Sequence, residues 1–411
     1  MHLLPGDVHL IAGIVIFIAS YVVFAFGKFP GMKIDRPGMA IIGAVLMVAF
    51  RVVGPEDALR AVDFATIVLL FSMMLIVANL HLVGFFDNVA EFVVARMGPA
   101  HLLPAIIVST GVLSAFFVND IICLVMVPIV LKITKRMGVP PLGYLLAVAT
   151  ASNIGSVATI TGNPQNILIG SYSGLSYRSF LAHLAPIATV GLLIDWVVLH
   201  FMFPAPTELA RQASTPPPRE SGIWGSLSKP GIVVAGVIVG FLIGFPPALV
   251  AAVGAAITLI SRSMEPRRVY DEVDWGLLVF FVGLFVIVGG AEKVGIVAGM
   301  LDMAQTWNLH NTIIFAVVTA VMSNLVSNVP AVMLLKSVVP QFPDPHRAWL
   351  LLAMASTLAG NLTITGSIAN IIVVERARNE VEIGFRDYLR VGVPITIATL
   401  TFGTLWLWLV N

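Results

Sequence analysis

The chain has 411 residues, of which 58% are hydrophobic and only 11% charged, with a mean hydropathy of +0.97 and a formal net charge of +1. Soluble domains carry about a quarter charged residues, so a peripheral enzyme and a secreted scaffold are excluded, and the near-neutral balance excludes a nucleic-acid binder. The lone Cys123 rules out an internal disulfide and a multi-cysteine metal site, and near-continuous apolar runs rule out a transmembrane β-barrel.

The first apolar runs, 9–27, 38–54 and 64–83, predict three crossings. The first is not read as a signal peptide, because its positive charges (Lys28, Lys33, Arg36) follow it. Residues 101–134 hold two short apolar stretches interrupted by Asn119 and Asp120, the pattern of a re-entrant helical hairpin. Residues 143–173 form a broken run with its polar, glycine-bearing part in the middle, and 181–203 predict a full crossing. The Pro/Ser-rich stretch 205–229 predicts an exposed linker. The order then recurs: crossings at 230–245, 246–261 and 275–294, a second hairpin at 312–341, a broken run at 347–375 and a last crossing at 387–409.

Self-comparison explains the recurrence. Val62-Asp63-Phe64 matches Val273-Asp274-Trp275, and Ser114 and Asn119 match Ser323 and Asn328. Thr159-Ile160-Thr161-Gly162 and Asn166 match Thr363-Ile364-Thr365-Gly366 and Asn370. Residues 1–204 are thus repeat 1 and residues 230–411 repeat 2. Each has five crossings and one hairpin, and five is odd, so the second repeat is inverted in the membrane. Of the 23 Lys and Arg, 17 fall on one side. The positive-inside rule makes that side cytoplasmic, places the linker there and leaves both termini external. The first hairpin then enters from the cytoplasm and the second from outside. The expected fold is an all-α integral membrane protein of about ten transmembrane helices, with two re-entrant hairpins, two broken helices and an inverted two-fold repeat.

In such a fold the solute and its coupling ions bind near the midplane, where unwound backbone and half-helix ends face a cavity. The candidate binding residues are Asn119, Asp120, Thr159, Thr161, Gly162, Asn163, Asn166, Ser327, Asn328, Thr363, Thr365, Gly366 and Asn370. Asp120 reads either as the carrier of a coupling proton or as a helix cap, and its fixed charge disfavours a dianionic solute. Asp195, inside an apparent crossing, reads either as a second proton site or as a contact between helices. Cys123 lies on the helix face of Asp120, as an arsenic ligand or as a small apolar filler. No P-loop or hydrolase motif occurs, and no cofactor is implied. The chain reads as a carrier driven by a gradient or a separate ATPase, not an enzyme.

Ser114-Ala115-Phe116-Phe117-Val118-Asn119-Asp120 with Pro128, and Ser327-Asn328-Val329-Pro330, resemble the hairpins of arsenite permeases and NhaD-type sodium/proton antiporters. Thr161-Gly162-Asn163-Pro164-Gln165-Asn166 is similar to the broken helix of the wider ion transporter superfamily. The resemblance covers about residues 10–410. It implies scaffold parts, a moving transport part and elevator-like alternating access in a cell (inner) membrane. It also implies hairpin tips carrying Ser-Asn-Thr in the sodium/dicarboxylate branch. Here the tips read Val118-Asn119-Asp120 and Ser327-Asn328-Val329. Proton-coupled efflux of arsenite or antimonite is the expected function, with sodium/proton antiport or an inorganic-anion or carboxylate carrier as alternatives. The expected partners are a small inorganic solute, protons or sodium and the lipid bilayer. A homodimer and a separate ATPase subunit are compatible with this reading.

Overall fold

The computed structural model describes residues 5–27, 33–86, 88, 101–204, 224–260 and 265–410. The regular elements among the described residues are all helices. In chain order the helices are α1 (Pro5–Phe26), α2 (Arg36–Ala49), the short α3 (Pro55–Ala61) and α4 (Phe64–Leu82). The first hairpin follows as α5 (Leu102–Phe116) and α6 (Asn119–Met137), then a broken pair, α7 (Leu142–Ser156) and α8 (Pro164–Ser173), and α9 (Tyr177–Met202). The same order returns as α10 (Trp224–Ile243), α11 (Pro247–Leu259), α12 (Pro266–Asp271), α13 (Trp275–Lys293) and α14 (Ile296–Thr306). The second hairpin is α15 (Thr312–Val326) and α16 (Asn328–Leu335). The second broken pair is α17 (Pro345–Leu358) and α18 (Ile368–Ala377), and α19 (Phe385–Leu409) closes the chain.

Both hairpins and both broken runs form where polar residues interrupt the apolar pattern. Two expectations need correction. The crossings read at 38–54 and 246–261 are shorter than expected, helices of 14 and 13 residues against the about 20 of a full-length crossing. Arg51, at φ 55°, turns the chain out of α2, and Pro55 restarts it as α3. The linker read at 205–229 is also shorter than expected. Residues 205–223 lie outside the described residues, and 224–229 already belong to α10. The expected linker prolines, Pro216 to Pro218, likewise lie outside the described residues.

Among the described residues, five helices, α1 (from Val8), α4, α9, α13 and α19, are long and apolar enough to cross a membrane. The short helices are packed between them. α2 runs alongside α13 through small residues: a Cβ on Gly283 would meet the Ala40 carbonyl oxygen at 2.5 Å, and one on Gly43 would meet Ile287 at 2.6 Å. The repeat-related pair, α11 on α4, is made the same way round, with the Asn79 amide donating to the Thr258 carbonyl (3.2 Å). α4 and α13 are antiparallel. His81, at the end of α4, pairs with Glu272 just before α13 (3.4 Å), and Lys293, at the end of α13, pairs with Asp57 just before α4.

The other group comprises the hairpins and the broken helices, with α9 crossing α19. Its tightest contact is α5 on α7, where a Cβ on Gly155 would lie 2.1 Å from the carbonyl oxygen of Gly111. No side chain shift relieves a clash with backbone. Gly155→Ala is therefore expected to push the hairpin off α7 and lower stability by about 1–3 kcal/mol, the usual cost of overpacking, read as a fall in melting temperature of the detergent-purified protein.

Candidate solute site at the hairpin tips

The first hairpin breaks at the extended Phe117 and at Val118, and α6 starts at Asn119. The Asn119 amide N–H, freed at the helix start, donates to the Gly162 carbonyl in the gap between α7 and α8 (2.9 Å). The second hairpin breaks at Ser327, whose φ of 75° and ψ of 157° belong to a region essentially reserved for glycine. A side chain held there carries about 1–3 kcal/mol of strain. Ser327→Gly is expected to keep or raise the melting temperature, whereas Ser327→Val is expected to lower it.

Both tips open on one cavity of about 130 Å³. From the tips and the broken helices come Asn119, Asp120, Ser327, Asn328, Gln165 and Ser367; from the α2 and α13 side come Arg36, Asp274, Leu277 and Phe280. The Arg36 guanidinium is anchored by the Phe24 carbonyl (2.9 Å). Asp274 caps α13 through the Leu277 amide (2.9 Å), and the Ala369 amide faces the Asp120 carboxylate. One cation and two acids thus share walls that are otherwise uncharged.

Behind the tips a web of buried amides holds the two repeats together. Asn153, on α7, uses its full capacity. Its Oδ1 accepts from Asn119 Nδ2 (3.1 Å) and Ser367 Oγ (3.0 Å), and its Nδ2 donates to Asn361 (2.8 Å) and Asn370 (3.0 Å). The matching contact in the other direction is Asn163 Nδ2 donating to Thr357 Oγ1 (3.2 Å). The Asn328 amide accepts from Gln165 Nε2 (3.3 Å) and donates to Ser323 Oγ (2.6 Å) and the Gly366 carbonyl (3.2 Å). Asn119 Oδ1 is left buried and without a hydrogen-bond partner.

Of the residues read from the sequence, Asn119, Asp120, Ser327 and Asn328 line the cavity. The others do not. Asn166 donates to the carbonyls of Ser156 and Thr159 (both 3.0 Å), and Asn370 repeats this on Gly360 (2.7 Å) and Thr363 (3.0 Å). These asparagines satisfy carbonyls orphaned by the helix breaks. Thr159 donates to the Ala115 carbonyl, Thr161 shares a hydrogen bond with Tyr177 (2.9 Å), and Thr363 bonds to Asn324 (3.2 Å) and Thr365 (3.3 Å). Gly162 and Gly366 permit close backbone turns: a Cβ on Gly162 would lie 2.2 Å from the Ser156 carbonyl oxygen. Asn163 caps α8. Cys123 is fully buried and donates to Ser152 Oγ (3.1 Å). Asp195 is fully buried on α9, away from the cavity, facing Thr150 and Tyr388.

Arg36, Gln165, Asp274, Ser367 and Asn153 were not anticipated. Ser367 occupies the place of Asn163 in the repeat, and that match is the signal that could have found it. Asn153 is matched by a threonine, Thr357, and carries no such signal.

The profile of the citrate transporter family, CitMHS, matches residues 21–349. The silicon efflux transporter LSI3 of Oryza sativa is 29% identical over 470 residues, covering 96% of each chain. The inner membrane protein YbiR of Escherichia coli is 30% identical, over 85% of this chain and 88% of its own. A putative transporter, arsB, of Dictyostelium discoideum is 24% identical over 90% and 87%. In fold, the chain is similar to the crystal structure of the Alcanivorax borkumensis YdaH transporter, with a TM-score of 0.60 at 13% identity over 98% and 97% of the two chains. Helix order, paired hairpins and family match agree: the chain belongs to the CitMHS citrate transporter family of the ion transporter superfamily, and is a multi-pass membrane transporter rather than an enzyme.

Proposed function

We propose that the chain is a secondary transporter that exports a small uncharged hydroxy acid, arsenite or antimonite, in exchange for protons by an elevator-type movement. The observation that carries this is the cavity lining, in which Asn119, with a buried Oδ1 that has no hydrogen-bond partner, stands beside Asn328. A buried acceptor without a donor costs about 1–3 kcal/mol, and an O–H group of the solute relieves that cost where a carboxylate cannot. Asn328, Gln165, Ser327 and Ser367 add further uncharged groups that exchange for a solute's hydration.

The charge balance supports the same reading. Asp120 and Asp274 outnumber Arg36, which disfavours a multiply charged anion such as citrate. Silicic acid, the dissolved form of silicon near neutral pH, is an uncharged polyhydroxide like arsenous acid. A relative named for silicon efflux therefore fits the class. Asp120 is the proposed proton carrier at the site, and Asp195 the reserve candidate. The membrane sidedness read from the Lys/Arg count belongs to this proposal: an inner-membrane protein with external termini and a cytoplasmic 205–223 segment.

A second reading, sodium/proton antiport, is favoured by one feature: two acidic residues, Asp120 and Asp274, share one cavity, and carboxylates are hard oxygen ligands. Proteoliposome uptake of arsenite, silicic acid, sodium and citrate, each with and without a proton gradient, separates the readings. Gradient-driven arsenite or silicic acid movement is expected. Movement of sodium alone or citrate alone contradicts the proposal.

A further inference from the structure

One acid lies outside the tip cavity altogether. Asp195, on α9, is fully buried, and neither of its carboxylate oxygens has a hydrogen-bond partner. No Lys, Arg or His among the described residues pairs with it. The helices packed on α9 fix what it faces. A Cβ on Gly403 would meet Ile187 at 3.1 Å, and one on Gly191 would meet Thr399 at 3.5 Å, so α9 and α19 cross antiparallel. One further turn along this register sets Asp195 level with Thr396. On the other side, the Cβ on Gly191 would meet Ile154 of α7 at 2.7 Å, and one turn away Thr150 faces the Asp195 carboxylate. Tyr388, whose ring lies along Gly392, faces it from α19.

The hydroxyls of Tyr388 and Thr396 are buried and, like the carboxylate, make no hydrogen bond. Thr150 gives its proton to the Leu146 carbonyl (2.9 Å), which leaves its oxygen free to act as a ligand. The other titratable group near the cluster is Cys123, which faces Tyr388. The second repeat makes the same helix crossing without any of these groups. The match that pairs Pro186 with Pro394 pairs Asp195 with Gly403, Tyr388 with Phe180 and Thr396 with Ala188, and the broken-helix match pairs Thr150 with Met354. There a Cβ on Gly403 would meet the Met354 sulfur at 2.9 Å. Apolar residues therefore suffice to pack this crossing. An unpaired buried acid costs stability, and packing alone does not account for it.

From this cluster we infer that Asp195, Tyr388, Thr396 and Thr150 form a binding site for one monovalent cation, separate from the tip cavity. Carboxylate and hydroxyl oxygens are hard ligands. One carboxylate and one singly charged ion leave a neutral pair, which a fully buried place in a membrane requires, whereas a divalent ion leaves an uncompensated charge. The site is tied to the first hairpin. The Thr150 carbonyl accepts from Asn361 Nδ2 (3.2 Å), Asn361 Oδ1 accepts from Asn153 Nδ2 (2.8 Å), and Asn153 Oδ1 accepts from Asn119 (3.1 Å). An ion that draws α7, α9 and α19 together thus also steadies the tip at Asn119. The inference goes beyond the function proposed above, in which Asp195 is a reserve proton carrier, and does not depend on the solute.

The test is the melting temperature of the detergent-purified protein in sodium chloride against choline chloride at equal ionic strength. Sodium is expected to raise it by about 3–5 °C, the shift that a ligand at a hundredfold excess over its Kd gives a chain of this length. Asp195→Asn is expected to lose the shift, and Asp120→Asn to keep it, because the tip acid is no part of the site. A wild type without a sodium shift overturns the inference, as does a shift that survives in Asp195→Asn. A shift lost in Asp120→Asn alone puts the ion at the tips and overturns it too. So does a melting temperature that depends on Asp195 through pH and not through sodium, since the acid then holds a proton. Should Asp195→Asn fail to fold, Thr396→Val and Tyr388→Phe each remove one oxygen and no charge. Each is expected to raise the sodium concentration for the half-maximal shift by about tenfold, the effect of one lost polar contact, and no change in either overturns the inference. None of these measurements needs transport, so failure of arsenite to move leaves them readable.

Discussion

Asn153→Ala is expected to abolish transport and to destabilise the protein more than any change at the cavity wall itself. The side chain is fully buried and makes four hydrogen bonds, to Asn119, Ser367, Asn361 and Asn370, which join the first hairpin to the second broken helix. Removing it strands four buried polar groups. At about 1–3 kcal/mol for each buried group left unsatisfied, and with partial relaxation, a loss of about 3–5 kcal/mol follows. The check is a melting curve together with proteoliposome flux. Asn153→Asp is the informative companion: it keeps the acceptor for Asn119 and Ser367 but cannot donate to Asn361 and Asn370, so an intermediate loss is expected. Wild-type stability in Asn153→Ala would show that the web does not hold the two repeats.

The second large effect is expected at Asp120. Its carboxylate lines the cavity beside the tip of the first hairpin, across from Asp274. Asp120→Asn keeps the shape and the capacity to accept the Ala369 amide but cannot carry a proton. Proton-driven net transport should be lost, removing the coupling of about 1–3 kcal/mol that linked sites of this kind exchange, while solute exchange without a gradient survives. A pH-jump flux measurement on the purified variant decides. If Asp120 only caps α6, asparagine caps about as well, the pH profile stays as in the wild type, and Asp195 becomes the candidate carrier.

Much of this architecture was legible before any coordinates. The tips could be read at Asn119 and Asn328 because polar residues there divide an apolar run into two stretches, each short for a crossing. The broken helices could be read because Thr-Ile-Thr-Gly and a following Asn recur in both halves. Asn166 and Asn370 recur where each helix break leaves the same carbonyls to satisfy, and repetition alone does not distinguish a brace from a ligand. Asn153 was illegible for the opposite reason: one asparagine within Ala-Ser-Asn-Ile-Gly has no partner until the second repeat folds against it. Arg36 entered only the charge count and Asp274 only the repeat match, because nothing in a linear pattern shows that the tips lie against the starts of α2 and α13. The shortness of α2 and α11 was hidden by apolar residues that continue past the helix ends.

The most direct measurement is arsenite counterflow in proteoliposomes, with no proton gradient, comparing the wild type with Asn119→Ala and Asn328→Ala. Counterflow reads solute binding and movement without coupling, and both variants remove a tip amide while leaving Asn153 in place. A drop of about tenfold or more in each, of the order expected for one lost hydrogen bond of about 1.5 kcal/mol, in variants that still melt cooperatively, places the solute between the tips. Wild-type counterflow in both variants would contradict a solute site there.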